Sequence, residues 1–190
     1  MASEKSRATE ARFAAFMRQA GPVRGAVDNA VIGPSGGGVN TAVAHYTVPA
    51  ADAALLSGGE AFEAFAHGGF STGGTAPTLM MFTLYWNGVG GSSLCSLTVP
   101  AAGLWANAAS AGWSVKCHVT FVSATEAETT IELNWRTATG VAASVTWTST
   151  QNQAGLTTSG DRDLTLAFQF TPGAAGHSLT VKGARIWREA

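Results

Sequence analysis

The sequence predicts an all-β protein: a two-sheet antiparallel jelly-roll β-sandwich preceded by a short N-terminal α-helical arm. Three observations lead there. A two-residue apolar period recurs from about Val39 to the C-terminus. Glycine- and asparagine-rich turn signals interrupt it at short intervals. The first 38 residues lack that period and carry a helical one instead. The domain division that follows is 1–38 for the arm and a Gly-rich hinge, and 39–190 for the sandwich.

The alternation is clearest in Gly112–Ser123, where Trp113, Val115, Cys117, Val119 and Phe121 share one phase and Ser114, Lys116, His118 and Thr120 the other. Successive strand side chains leave opposite faces, so one face packs on a core and one meets water. Leu164, Leu166, Phe168 and Phe170 repeat the pattern, as do Ile131, Leu133 and Trp135 opposite Glu132 and Asn134. Strands are expected near 41–48, 60–70, 78–86, 93–98, 112–123, 127–136, 142–148, 163–170 and 177–187. Turn signals such as Gly58-Gly59, Asn87-Gly88 and Ser159-Gly160-Asp161 separate them. Thr78–Trp86 is apolar on nearly both sides, so it is expected to be central or covered by another chain. Eight or nine such strands, with long connections around 49–59 and 99–111, favour a jelly roll over an immunoglobulin-type sandwich.

Residues 3–20 contain neither Gly nor Pro, and Phe13, Phe16, Met17 and Ala20 fall at helical spacing on one stripe. Ser3 suits the cap, and Gly21-Pro22 ends the run. A helix this short is marginal alone in water. Its stripe therefore needs a partner: its own sandwich, a sister subunit or a different protein. Gly33-Pro-Ser-Gly-Gly-Gly38 then supplies a flexible hinge.

The bulk numbers narrow the function. Charged residues make up 12% of the 190, about half the usual share. Surface polarity must come largely from Ser, Thr, Asn and Gln, which suits proteins locked into assemblies. The net charge of -1 gives no general attraction for nucleic acid or membrane. No apolar run reaches the roughly 18 residues that a membrane helix needs. The opening Met-Ala-Ser-Glu-Lys-Ser-Arg lacks the order of a secretory signal, so synthesis in a cytoplasm is expected. Cys95 and Cys117 are the only thiols. They are expected to be buried and free, with a bridge conceivable if their strands are neighbours.

No motif for catalysis stands out. His45, His67, His118 and His177 have no His, Cys or carboxylate partner at metal-ligand spacing. No Gly-x-Ser-x-Gly elbow occurs, and the glycine hinge is not followed by Gly-Lys-Ser/Thr. Glu60 and Glu63 fall on opposite faces of a strand, while Glu126 and Glu128 flank a turn. Catalytic residues, metal and cofactor are accordingly all expected to be none. Among six tryptophans, Trp113 and Trp135 belong to core faces, and Trp187 is placed to close the last strand against the core. Trp105, in the long connection Leu104-Trp-Ala-Asn107, offers a ring either to cover the end of the sandwich or to stack on a sugar.

Four segments occur in order: Tyr46-Thr-Val-Pro-Ala50, Gly59–Gly68, Phe82-Thr-Leu-Tyr-Trp-Asn-Gly88 and Gly112–Phe121. Together they resemble the small jelly-roll domains of tailed-bacteriophage virion proteins, of the capsid-decoration, head-fibre and tail-fibre type. The resemblance covers roughly residues 41–187. It implies a homotrimer around a threefold axis, held to other virion proteins, the major capsid protein first among them, by its N-terminal segment. Phe13, Phe16 and Met17 would then be the anchoring contacts. The lack of a shaft makes the chain more like a decoration or head-fibre subunit than a long tail fibre. The expected place is the virion surface, after assembly in the host cytoplasm. The alternative is a receptor- or carbohydrate-binding module of the same particle, with Trp105 stacking on a host-surface glycan. A jelly-roll enzyme is the third reading.

Overall fold

A computed structural model describes residues 30–32, 40–54, 56, 58–109, 111–136, 144–171 and 176–189. It is nearly all β. The strands are β1 (Ala30–Ile32), β2 (Thr41–Val48), β3 (Ala61–Ser71), β4 (Leu79–Trp86), β5 (Ser92–Thr98) and β6 (Ala111–Ser123). They continue with β7 (Glu126–Arg136), β8 (Ser144–Ala154), β9 (Arg162–Thr171) and β10 (Ser178–Arg188). A single helical turn, α1 (Ala50–Ala53), and a 3-10 turn at Ala101–Gly103 occupy the two long connections.

Two antiparallel sheets face each other. The larger runs β1-β10-β3-β6-β7-β8 and the smaller β2-β9-β4-β5. If the β7–β8 extension is set aside, the remaining eight strands have a simple order. One sheet reads first-eighth-third-sixth in chain order and the other second-seventh-fourth-fifth. Those are the interleaved Greek keys of a jelly roll.

The inner faces are those that the alternation picked out. Trp113, Val115, Cys117, Val119 and Phe121 on β6 are all buried, as are Leu164, Leu166, Phe168 and Phe170 on β9. Aromatic rings fill the space between the sheets. Phe70 stacks on Trp135 at a centroid distance of 4.0 Å, and Phe82 meets Phe168 at 4.7 Å and Trp113 at 5.1 Å. Trp135 Nε1 donates to the Gly103 carbonyl at 2.9 Å, so its one polar group is satisfied inside the core. The doubly apolar β4 lies between β9 and β5, the central option of the two expected. Met80, Phe82, Leu84 and Trp86 fill the core side, and Thr83 and Tyr85 on the other side are buried as well.

Strand boundaries differ from expectation in two places. β8 runs to Ala154, well past residue 148. Ser149-Thr-Gln-Asn-Gln153 has no hydrophobic period to mark it, yet its ladder continues until Ala154 faces Glu126 on β7. Gln151 Nε2 then donates to the Ser96 carbonyl on β5 at 3.0 Å, tying the open side of one sheet to the other. Ala30–Ile32, inside the segment read as arm and hinge, pairs with Leu179–Val181 of β10. Three residues give too short a run for a period to be read. The expected helix at 3–20 and the Gly33–Gly38 hinge lie outside the described residues.

Candidate interaction surface

The outward face of the six-stranded sheet gathers the side chains with most chemistry. Register fixes its rows. One row across β10, β3, β6, β7 and β8 is Arg185, Phe65, Lys116, Glu132 and Thr148. The next is Trp187, Glu63, His118, Thr130 and Thr150. The third holds Gly183, His67, Ser114, Asn134 and Thr146.

The β10-β3-β6 half is aromatic and charged. The Arg185 guanidinium lies over the Trp187 ring at 4.5 Å and over Phe65 at 5.9 Å. Phe65 also leans on His67, with centroids 5.7 Å apart. Lys116 Nζ sits 3.2 Å from Glu63 Oε2, and His118 Nε2 sits 3.1 Å from Glu189 Oε2. Phe65 and Trp187 stay half-buried on a face that points away from the core. The β7-β8 half is plainer: Thr130 and Thr150 hydroxyls meet at 3.2 Å, and Thr146 Oγ1 donates to Asn134 Oδ1 at 2.6 Å. The face thus has an aromatic and arginine cluster on its β10-β3 side, both signs of charge, and a flank rich in hydroxyls on its β7-β8 side.

Trp187 departs from its expected role. Ile186 occupies the inward phase of β10 and is fully buried, which sends Trp187 outward, opposite Glu63. Phe65 does not stand out in the sequence, because Ala and Phe occur in both phases of the strand expected at 60–70. The available signal was a phenylalanine in the polar phase of an alternating strand.

Trp105 lies at the other candidate place, the end of the sandwich. Its ring packs edge-on against Phe70 at 4.9 Å, and its backbone carbonyl accepts from Thr72 Oγ1 at 2.6 Å. Its indole N–H is buried with no acceptor among the described residues. The ring is partly buried against the core there. Phe13, Phe16 and Met17 lie outside the described residues. Among the described residues, no three His, Cys, Asp or Glu side chains come together to hold a metal ion.

His177, near Trp105, is only 1% exposed. The Gly73 N–H donates to its Nδ1 at 3.1 Å, and the ring stacks on Phe170 at 5.9 Å. Burial pushes its pKa below the usual histidine value. The unfolded chain therefore binds a proton there before the folded one does. Stability from this group is complete above about pH 6.5 and falls as pH drops through that value. Thermal melts between pH 7 and 5.5 should show a falling midpoint. His177→Asn keeps an acceptor for Gly73 without titrating and should flatten that slope. An equal slope in the variant would remove His177 as the cause.

No protein-family model and no curated protein matches the chain. Among solved structures, the chain is similar to one in a structure of infectious bursal disease virus, Gx strain. Identity is 15% and the TM-score 0.29, with 87% of this chain and 40% of that one covered. The chain thus spans less than half the length of that neighbour. A likeness this loose carries nothing about function, and the fold assignment rests on the strand order above.

Proposed function

We propose that this protein is a non-enzymatic structural component of a tailed-bacteriophage virion. In this reading it is a jelly roll that self-associates as a trimer and decorates or stabilises the capsid from the particle surface. The observation that carries the reading is the outward face of the six-stranded sheet. Trp and Arg are among the side chains that most often dominate protein–protein contacts, and here they sit together on β10, at one side of a broad face. The lysine and glutamates around them allow one copy's charges to complement another's. The low charged share and the motif resemblance support the same reading.

Attachment is assigned to the first 38 residues, with Phe13, Phe16 and Met17 as the contacts to the major capsid protein. The test is co-sedimentation of purified protein with shells built from the capsid protein of the parent particle. Saturable binding is expected, and its loss when those three residues become serine. Absence of binding by the unmodified protein would refute capsid decoration. The glycan alternative gains no support from Trp105, whose ring packs on Phe70.

A further inference from the structure

We propose that the N-terminal arm docks on its own body in the free protein: the apolar stripe of residues 3–20 lies over the outer face of the four-stranded sheet, across β4 and β9. The observation is a burial that the strands of this sheet do not explain. Met80, Phe82, Leu84 and Trp86 on β4, and Leu164, Leu166, Phe168 and Phe170 on β9, take the inward phase. The side chains between them point outward, yet four are nearly as buried: Tyr85 is 9% exposed, Thr165 4%, Thr83 2% and Ala167 0%. They stand in two adjacent rows, Tyr85 beside Thr165 and Thr83 beside Ala167. On a bare sheet face such residues meet water. The Thr83 hydroxyl is instead buried with no hydrogen-bond partner among the described residues, as happens under a cover. Among the described elements, the main neighbours of β4 and β9 lie within the sheet: each other, β5 and β2.

The covered area has the footprint of one helix. Ala42, His45 and Thr47 on β2, and Ser93 and Thr98 on β5, are exposed, so the cover is two strands wide. That is about 10 Å, the diameter of a helix with its side chains. The two rows lie about 7 Å apart along the strands, and Phe13 and Met17 would lie about 6 Å apart along a helix. No Lys, Arg, Asp or Glu stands in these rows, so an apolar stripe meets no unpaired charge there. The arm is also the segment with the length for it. Outside the described residues, 33–39 reads Gly-Pro-Ser-Gly-Gly-Gly-Val, with few side-chain atoms to cover a tyrosine. Residues 137–143 join β7 to β8 in the other sheet, and 172–175 must return at once from Thr171 to Gly176. Residues 1–29 precede β1, on the margin where β10 approaches β2. Nine of them, 21–29, span up to about 30 Å, enough to cross β2. The inference does not rest on the virion reading; attachment there takes the same stripe off the sheet.

The test uses the full chain, dilute enough to be single, with Phe16 replaced by the photo-crosslinking analogue benzoylphenylalanine. After irradiation, a peptide map should show links from position 16 to β4 or β9 within one chain. Limited trypsin digestion is the second readout. Cuts after Arg12 and Arg18 should run about tenfold faster when Phe13, Phe16 and Met17 become serine, and also in Ala167→Arg, which puts a cation under the stripe. Ala167 points away from the core, so a melt of the body checks that this variant folds. The serine variant, altered outside the body, decides should it not. Links to other elements, links only between chains, or no links would overturn the proposal, as would equal cleavage of the parent and the variants. No capsid enters either readout, so failure here is separable from failure of the virion reading.

Discussion

Gly68→Ala is expected to destabilise the protein by about 3 kcal/mol or more, a fall in melting midpoint of roughly 10 °C. Gly68 lies in β3, between Val181 of β10 and Trp113 of β6. A Cβ built there would come 1.8 Å from the Thr180 carbonyl oxygen and 3.1 Å from the Trp113 ring. The first obstacle is backbone, so no rotamer relieves it. β10 already shifts register between Val181 and Gly183 just beyond this point. Moving it further would break the ladder that holds the Arg185 and Trp187 rows in place. Gly112→Ala is the matched control. It lies at the end of the neighbouring strand β6, where an added Cβ meets nothing within 4 Å. That variant should melt within a degree or two of the parent, since a glycine-to-alanine change without strain has only a small stabilising effect. Equal stability of the two variants would mean that β3 and β10 do not approach as closely as described.

The second large effect is expected on assembly. Trp187→Ala should weaken self-association at least about 30-fold, the scale of a central aromatic contact worth about 2 kcal/mol. Arg185→Glu should do the same by a different route. It removes the cation stacked on Trp187 and puts a second acid near Glu63, the residue facing Trp187 across the ladder. Thr148→Ala, in the same sheet but on the hydroxyl flank, should leave association unchanged. All three side chains point away from the core, so melting of the separated chains should change little. Loss of association in the Thr148 variant alone would move the interface to the β7-β8 half.

Much of the fold could be read from residues whose spacing has one physical meaning. The β6 and β9 alternations name their buried faces because a strand has a period of two. Asn87 and Gly88 mark a hairpin because both adopt left-handed backbone that few other residues tolerate, with φ of 77° and 79°. The second half of β8 could not be read, because hydroxyl and amide side chains carry no inside-outside contrast. The candidate surface was less legible still. Lys116 and His118 were visible as the polar phase of β6, but their meeting with Phe65, Glu63, Arg185 and Trp187 depends on β10 and β6 flanking β3. That adjacency joins segments far apart in sequence, and local pattern does not encode it. Trp187 shows the same limit: an aromatic near the end of a strand reads as core until its inward neighbour, Ile186, is placed.

The measurement that bears most directly on assembly through the outward face is mass in solution by light scattering, over a series of concentrations. We expect a species of about three times the 19.4 kDa chain mass at tens of micromolar, giving way to single chains on dilution and in Trp187→Ala. A single-chain mass throughout, or a multimer indifferent to Trp187, would contradict it.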